Sequence, residues 1–277
     1  MIGLNAPRNA RGRAPYHRAG VDVHRSPPAW GSQEYFSGKL AACSAADPFF
    51  DYSGNALQRR RIALAASFVA SHVRAGGDLL DVGCATGELT AAIAGTARPS
   101  SVTAVDFVSE LLEVARRRHP YIAFEHAALP ELRHPPGSFD AITCSEVLYY
   151  LAPIDRAAFL AECLRVLRPG GVMVVTANSS GGSYLDRGAA ARDFAGAGFE
   201  VTATRDCYLG IASRAHRVMR GLERRGGGRI PVFVGCHRAA VRSQTIVRLC
   251  EVAGRAFPPM GRSHSHWALR ARAGRNA

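Results

Sequence analysis

The chain has 277 residues, of which 47% are hydrophobic and 21% charged, and no apolar stretch in it is long enough to span a bilayer. Its net charge of +13 sits at the ends. Residues 1–30 carry five Arg against Asp22, Glu200 to Ala277 carries fifteen Arg against four acids, and the stretch between is nearly neutral at a net −2.

Basic ends attract anions, nucleic acid included, but the chain shows no RNA-binding module and no interleaving of basic with aromatic residues. With Lys39 as the only lysine, Arg is simply the default cation here. Seven cysteines, at positions 43, 84, 144, 163, 207, 236 and 250, form no C-x-x-C pair and no zinc-ligand spacing, so free thiols and no metal are expected. Cys144 and Cys163 read as small apolar core residues. The N-terminus lacks the apolar core of a secretory signal, which makes a reducing cytoplasm the expected compartment.

In chain order, residues 1–30 are rich in Arg, Pro and Gly without periodicity and read as a disordered basic arm before a domain over 31–277. Aromatic residues follow: Tyr35, Phe36, Phe49, Phe50 and Tyr52, between turn signals, are expected to lean on the mouth of a binding site. Asn55 is placed to cap a helix running to about Val73, with Ile62, Leu64, Ala65, Phe68 and Val69 as its apolar stripe. Ala75-Gly76-Gly77 ends it, and Leu79-Leu80 begins a strand.

That strand runs into Asp81-Val82-Gly83-Cys84-Ala85-Thr86-Gly87-Glu88, a turn that opens the next helix. Glycines in such a turn let the backbone approach a ligand and aim amides at it. A dinucleotide fingerprint needs a small residue at the sixth position from Gly83, where Glu88 would face the pyrophosphate, so a nicotinamide or flavin site is not expected. Ser101 to Val105 is a β-branched strand ending at Asp106, far enough on for one helix and a return to a parallel neighbour. There a carboxylate can accept both hydroxyls of a ribose, although an Asp after a strand also caps helices. A helix over Val108 to Arg118, a strand over Tyr121 to His126 and another over Ser138 to Cys144 come next. Asp155 to Leu167 is a helix stopped by Arg168-Pro169-Gly170-Gly171, and Val172 to Thr176 is an apolar strand buried on both faces. Strands alternating with helices specify an α/β, doubly wound and mostly parallel sheet.

The tracts Asp81 to Gly87, Val105-Asp106, Ser138-Phe139-Asp140, Ser145-Glu146-Val147-Leu148-Tyr149-Tyr150-Leu151 and Leu164 to Gly171 together resemble class I S-adenosylmethionine-dependent methyltransferases across Asp47 to Asn178. Ala85 stands at the middle glycine, a mild substitution. Asp47-Pro48-Phe49 and Glu146 to Leu151 resemble the branch of nodulation-type N-methyltransferases, which act on amino-sugar oligosaccharides. The resemblance implies a Rossmann-like, seven-stranded sheet with an antiparallel last strand near His266 to Arg272, after one at Phe199 to Thr204. It implies S-adenosylmethionine as cofactor, with Asp81, Gly83, Cys84, Ala85 and Gly87 under its methionine end, Asp106 on the ribose, Phe107, Ala127 and Ala128 around the adenine, and Ser145 near the methyl group. Glu146 and Tyr150 are the implied catalytic contacts, with Tyr149 or Tyr150 flanking the sulfur. Ala128 occupies a position where the family commonly has an acid that accepts from the adenine amino group, and backbone groups or Glu125 are the candidate substitutes.

Residues 207–262 exceed what this fold needs between its last two strands. Helical patterns at Ile211 to Arg224 and His237 to Phe257 make the stretch an inserted helical cover over a substrate pocket. The expected activity is methyl transfer to N or O of a small molecule. RNA methylation and a non-catalytic cofactor-binding partner are the alternatives. His126, His237, His264 and His266 are candidate bases, and the oligomeric state is not legible.

Overall fold

A computed structural model describes residues 31–42, 55–179, 185–212, 215, 243–256 and 262–272. The first thirty residues, Asp47 to Phe50, Tyr52, Cys43, Cys236 and most of the expected Ile211 to Arg224 helix lie outside them. Helix α1 spans Gln33–Ala42 and α2 Ala56–Ala70; then follow β1 (Asp78–Val82), α3 (Glu88–Ala97), β2 (Ser101–Asp106), α4 (Ser109–Arg118), β3 (Ala123–His126) and β4 (Phe139–Ser145). The chain continues through α5 (Pro153–Val166), β5 (Leu167–Asn178), α6 (Arg187–Ala197), β6 (Phe199–Cys207), α7 (Gln244–Ala256) and β7 (His264–Ala271).

The seven strands form one sheet in the order β3-β2-β1-β4-β5-β7-β6. Pairs among β1 to β5 are parallel, and β7 runs antiparallel between β5 and β6. This is the expected seven-stranded, Rossmann-like methyltransferase fold. Alternation along each strand sends side chains to opposite faces: Leu80, Val82, Ile142, Cys144, Met173 and Val175 pack with Phe159 of α5 and Phe194 of α6. Leu79, Ala141, Val172 and Val174 pack with Phe68 of α2 and Ile93 of α3 on the other side. Both faces are covered, which is why these strands read as nearly unbroken apolar runs.

The local signals act as expected at α2, where the Asn55 side chain accepts from the amides of Leu57 and Gln58. Pro169-Gly170-Gly171 differs from its reading as a tight turn. Strand β5 reaches back to Leu167, which pairs with Phe139, and its register against β4 shifts between Phe139 and Ala141, so the breakers form an irregularity inside a 12-residue strand. Gly170 takes φ +79 there, and a glycine tolerates that bend without Cβ strain. Cys144 and Cys163 are buried, as are Cys84 and Cys207.

Candidate functional site

The order of strands reverses between β1 and β4, and in an open parallel sheet the crevice beyond the carboxyl ends at such a point is where ligands bind. A cavity of about 810 Å³ occupies that position. Its wall takes Asp81 to Ala85 from the end of β1, Asp106 and Phe107 from β2, Ala127 and Ala128 after β3, and Ser145 and Glu146 from the end of β4.

The turn after β1 is held by backbone geometry. Gly83, Ala85 and Gly87 all have positive φ, at +77, +49 and +84. Left-handed backbone costs an L-residue about 1–2 kcal/mol and a glycine almost nothing, so alanine at position 85 is less mild a replacement than its size suggests. A Cβ on Gly83 would lie 2.2 Å from Val147 Cγ2, and one on Gly87 2.9 Å from both His119 and Phe124. Gly83 therefore lets the loop after β4 press against the turn, and Gly87 lets α3 pack closely. Gly87 is absent from the cavity wall, alone among the cofactor positions read from sequence.

Asp81 is buried and forms no ion pair among the described residues. Thr90 and Thr143 donate hydroxyl hydrogen bonds of 2.6 Å to its two oxygens, tying β1 to α3 and β4. Burial pushes its carboxyl pKa up, against the pull of those two hydroxyls. Asp106 does two jobs at once. Its Oδ2 accepts from the Ala85 amide at 2.9 Å and its Oδ1 from the Val108 amide at 3.0 Å, fixing both the glycine turn and the start of α4. The Phe107 amide also bears on this carboxylate, which still keeps acceptor capacity for a hydroxyl. Its pKa is also raised by burial, which those amides oppose.

Glu146 takes φ +62, a rare conformation for a side-chain-bearing residue and one that clusters at functional sites. Its amide donates to the Thr176 carbonyl at 2.8 Å, which anchors the bend on β5. Tyr149, and not Tyr150, donates to its Oε2 at 2.8 Å. Oε1 is buried with no hydrogen-bond partner among the described residues. Burial raises its pKa, while the Arg61 charge, the Tyr149 hydroxyl and the Asn178 amide favour the ionised form. Tyr150 lines the cavity with its ring edge-on to Phe36 of α1, at 5.3 Å and 76°. Tyr35 and Phe36 thus lean on the mouth of the site, as expected.

Reading the sequence missed the far wall. Leu57, Gln58 and Arg61 of α2, Asn178 at the end of β5 and Leu209 were not singled out, and with His264 of β7, named only as a candidate base, they complete the enclosure around Glu146. Of the four histidines considered as bases, His264 reaches the cavity; burial, helped by Arg61, depresses its pKa to about 3, so it is neutral. His266 is buried elsewhere against Cys207 Sγ, at 2.8 Å. His237 lies outside the described residues. Glu125 does not take the place of the missing acid at Ala128: it pairs with His134 at 3.2 Å and leaves the wall, where Glu131 is the acid that follows Ala128. Among the described residues no group of His, Cys, Asp and Glu could hold a metal, and no helix is long and apolar enough to cross a membrane.

Residues 79–171, from β1 to the start of β5, match the model of the methyltransferase domain family. That segment, about a third of the chain, is a methyltransferase domain of the class I, S-adenosylmethionine-dependent kind. The match to a ubiquinone biosynthesis O-methyltransferase of Thiobacillus denitrificans is 36% identical over 118 residues, covering 40% of this chain and 49% of that one. With a demethylmenaquinone methyltransferase of Symbiobacterium thermophilum, identity is 39% over 112 residues, 38% of this chain and 44% of the other. These matches span less than half the length of each relative. Among solved structures, a (4+2)-cyclase superposes with a TM-score of 0.54 at 20% identity, over 78% of this chain and 83% of that chain. At that identity the likeness concerns the fold, and a fold alone does not name a reaction.

The methyltransferase domain fits its cofactor on its own geometry. The glycine turn offers close backbone approach, and the Asp106 carboxylate keeps acceptor capacity beyond the backbone amides it holds.

Proposed function

We propose that this protein transfers the methyl group of S-adenosylmethionine to a nitrogen or oxygen of a small molecule. The observation that carries the reading is the continuity of one cavity from the glycine turn and Asp106, where the cofactor would lie, to Glu146, Arg61 and His264, where an acceptor would lie. The cofactor supplies an electrophilic methyl on a sulfonium. The protein's task is alignment, which can supply up to about 7–11 kcal/mol of the barrier.

Asp106 would take the ribose hydroxyls while holding the glycine turn in place. Ala85 and Cys84 would lie under the methionine end, and Phe107, Ala127 and Ala128 beside the adenine. Ser145 and Glu146 would face the reacting methyl. An acceptor would enter between α1 and α2, past Tyr35, Phe36 and Gln58. Residues 207–262 would act as its cover: Leu209, near the start of the segment, and His264, just after it, line the cavity, and α7 is clamped to α2 by the Glu251 to Arg60 ion pair at 2.8 Å. The relatives named for quinone biosynthesis support a small-molecule acceptor, and the Glu146 to Leu151 tract supports an amino sugar within that class.

Isothermal titration with S-adenosylmethionine and S-adenosylhomocysteine, followed by a methyl-release assay on amine and phenol panels, tests this. Micromolar binding of both with turnover on a small acceptor is expected. Failure to bind either cofactor form would overturn it.

A further inference from the structure

Helix α7 turns its larger apolar side chains away from the protein. Ile246, Leu249 and Val252, spaced three apart and therefore on one side of the helix, are 44%, 65% and 63% exposed. Ala253 and Ala256, also exposed, continue the strip. A helix packed on a domain ordinarily does the reverse. The side that α7 does bury holds Val247, Glu251 and Gly254. Val247 packs with Ala56, Leu57 and Leu209, and Glu251 accepts from Arg60 of α2 and from Arg255, each at 2.8 Å. The one acid of α7 thus faces inward, and the edge of the apolar strip is left to the exposed cations Arg248 and Arg255.

Contiguous exposed aliphatic side chains mark a surface that meets a partner, and charge selects the partner. The strip has no acid and is rimmed by arginines, in a stretch from Glu200 to Ala277 that carries fifteen Arg against four acids. We propose that α7 docks the protein on an anionic phospholipid bilayer, lying in the interface with Ile246, Leu249 and Val252 toward the acyl chains and Arg248 and Arg255 at the phosphates.

RNA would draw the same arginines but would leave the aliphatic side chains in water. A second copy of the chain would gain little from this face. Thirteen residues of helix present a strip about 20 Å by 10 Å, well below the roughly 1,000 Å² that a specific interface buries, and pairing two strips would bring like charges together. A bilayer accepts a strip of this size and answers its charge. Leu57 and Leu209, against which Val247 packs, line the cavity, so docking through α7 holds the lipid surface about one helix diameter, roughly 10 Å, from the cavity wall.

The experiment is co-sedimentation of the full chain with vesicles of phosphatidylcholine alone and of phosphatidylcholine and phosphatidylglycerol in equal parts. Binding to the mixed vesicles is expected to weaken as salt rises, and binding to phosphatidylcholine alone to be weaker by roughly tenfold or more. Leu249→Gln combined with Val252→Gln should weaken binding to the mixed vesicles by about tenfold or more, and Arg248→Gln by about fivefold. Both variants should keep the urea midpoint of the lipid-free protein and its affinity for S-adenosylhomocysteine. No binding to the mixed vesicles, or equal binding by the double variant, would overturn the proposal, the latter because the basic ends alone would then hold the lipid. A lower urea midpoint in the lipid-free double variant would overturn it by showing that other residues of this chain already cover the strip. A dimer in sedimentation that the double variant loses would assign the face to a second copy, and RNA binding that the double variant loses would assign it to RNA; either result would overturn the bilayer.

Discussion

Lowering the pH should cost this protein stability through His266, a residue with no place on the cavity wall, as it does through His264 on the wall. The residue is 1% exposed, with Nε2 against Cys207 Sγ and Nδ1 without a partner among the described residues. Burial, then the nearby His264, Arg205 and Arg61, depress its pKa from 6.5 to about 3, with Asp206 pulling weakly the other way. Between those two values the unfolded chain binds a proton that the folded chain refuses. Stability is therefore intact above pH 6.5 and falls as the pH drops from 6.5 toward 3. For one histidine with an unfolded pKa near 6.5, the loss by pH 5 is about 2 kcal/mol, and about 2 kcal/mol lowers Tm by roughly 4–8 °C in a domain of this size. The raised carboxyl pKa values of Asp81, Asp106 and Glu146 act in the opposite sense, since the folded state takes up their protons first. The comparison that isolates His266 is wild type against His266→Gln, by urea melts at pH 8, 6.5 and 5. The gap between the two should shift by about 2 kcal/mol in favour of the variant across that range. A gap that stays constant with pH would refute the reasoning.

Asp106→Ala should weaken S-adenosylhomocysteine binding at least tenfold by titration calorimetry. It should also lower stability by roughly 1–3 kcal/mol in a urea melt, because the Ala85 and Val108 amides lose their acceptor. Ala85→Gly, which relieves a left-handed alanine at φ +49, should raise stability by about 0.5–1 kcal/mol after the entropy cost of glycine; a loss would mean the Ala85 methyl packs usefully. Ala128→Asp should tighten cofactor binding by roughly 0.5–1.5 kcal/mol through one added hydrogen bond to the adenine, again read by calorimetry, and weaker binding would show that Glu131 or the backbone already fills that role.

The parts of this molecule that were legible in the sequence are those fixed over short stretches of chain. The turn from Asp81 to Glu88 declares itself because left-handed backbone selects glycine locally. The strands declare themselves because a covered parallel sheet admits few polar residues. Asn55 is a cap by its own side chain. The acceptor wall was not legible for the converse reason. Arg61 and Asn178 belong to a helix before the sheet and to the end of a strand, each with an ordinary local pattern, and His264 could be named only as one of four candidate bases; the register Asn178 to His264 sets two of them side by side, and α2 brings Arg61 to the same wall. Gly87 marks the limit of the turn's own signal, because spacing cannot distinguish a glycine that admits a ligand from one that admits Phe124.

The placement of charge links these observations. The chain as a whole is strongly basic, yet among the described residues the cavity wall holds Asp81, Glu88, Asp106, Glu131, Glu146 and Asp155 against Arg61, with His264 neutral. Distance decides which field a bound molecule feels. Arg205, Arg248, Arg255, Arg262, Arg270 and Arg272, the described arginines of the basic C-terminal third, are all absent from that wall, and exposed charges farther than about 8 Å are largely screened at physiological salt. Asp81, Asp106 and Glu146 act from the wall itself and at lower effective dielectric, where a unit charge at 4 Å is worth about 4 kcal/mol rather than the roughly 1 kcal/mol of open water. None of the three holds a direct ion pair with Lys or Arg among the described residues; they are satisfied by hydroxyls and amides, which leaves their charge available to the ligand. A site of that sign favours a sulfonium and a nitrogen that becomes cationic as it is methylated, and it disfavours the phosphate backbone that basic ends would otherwise attract.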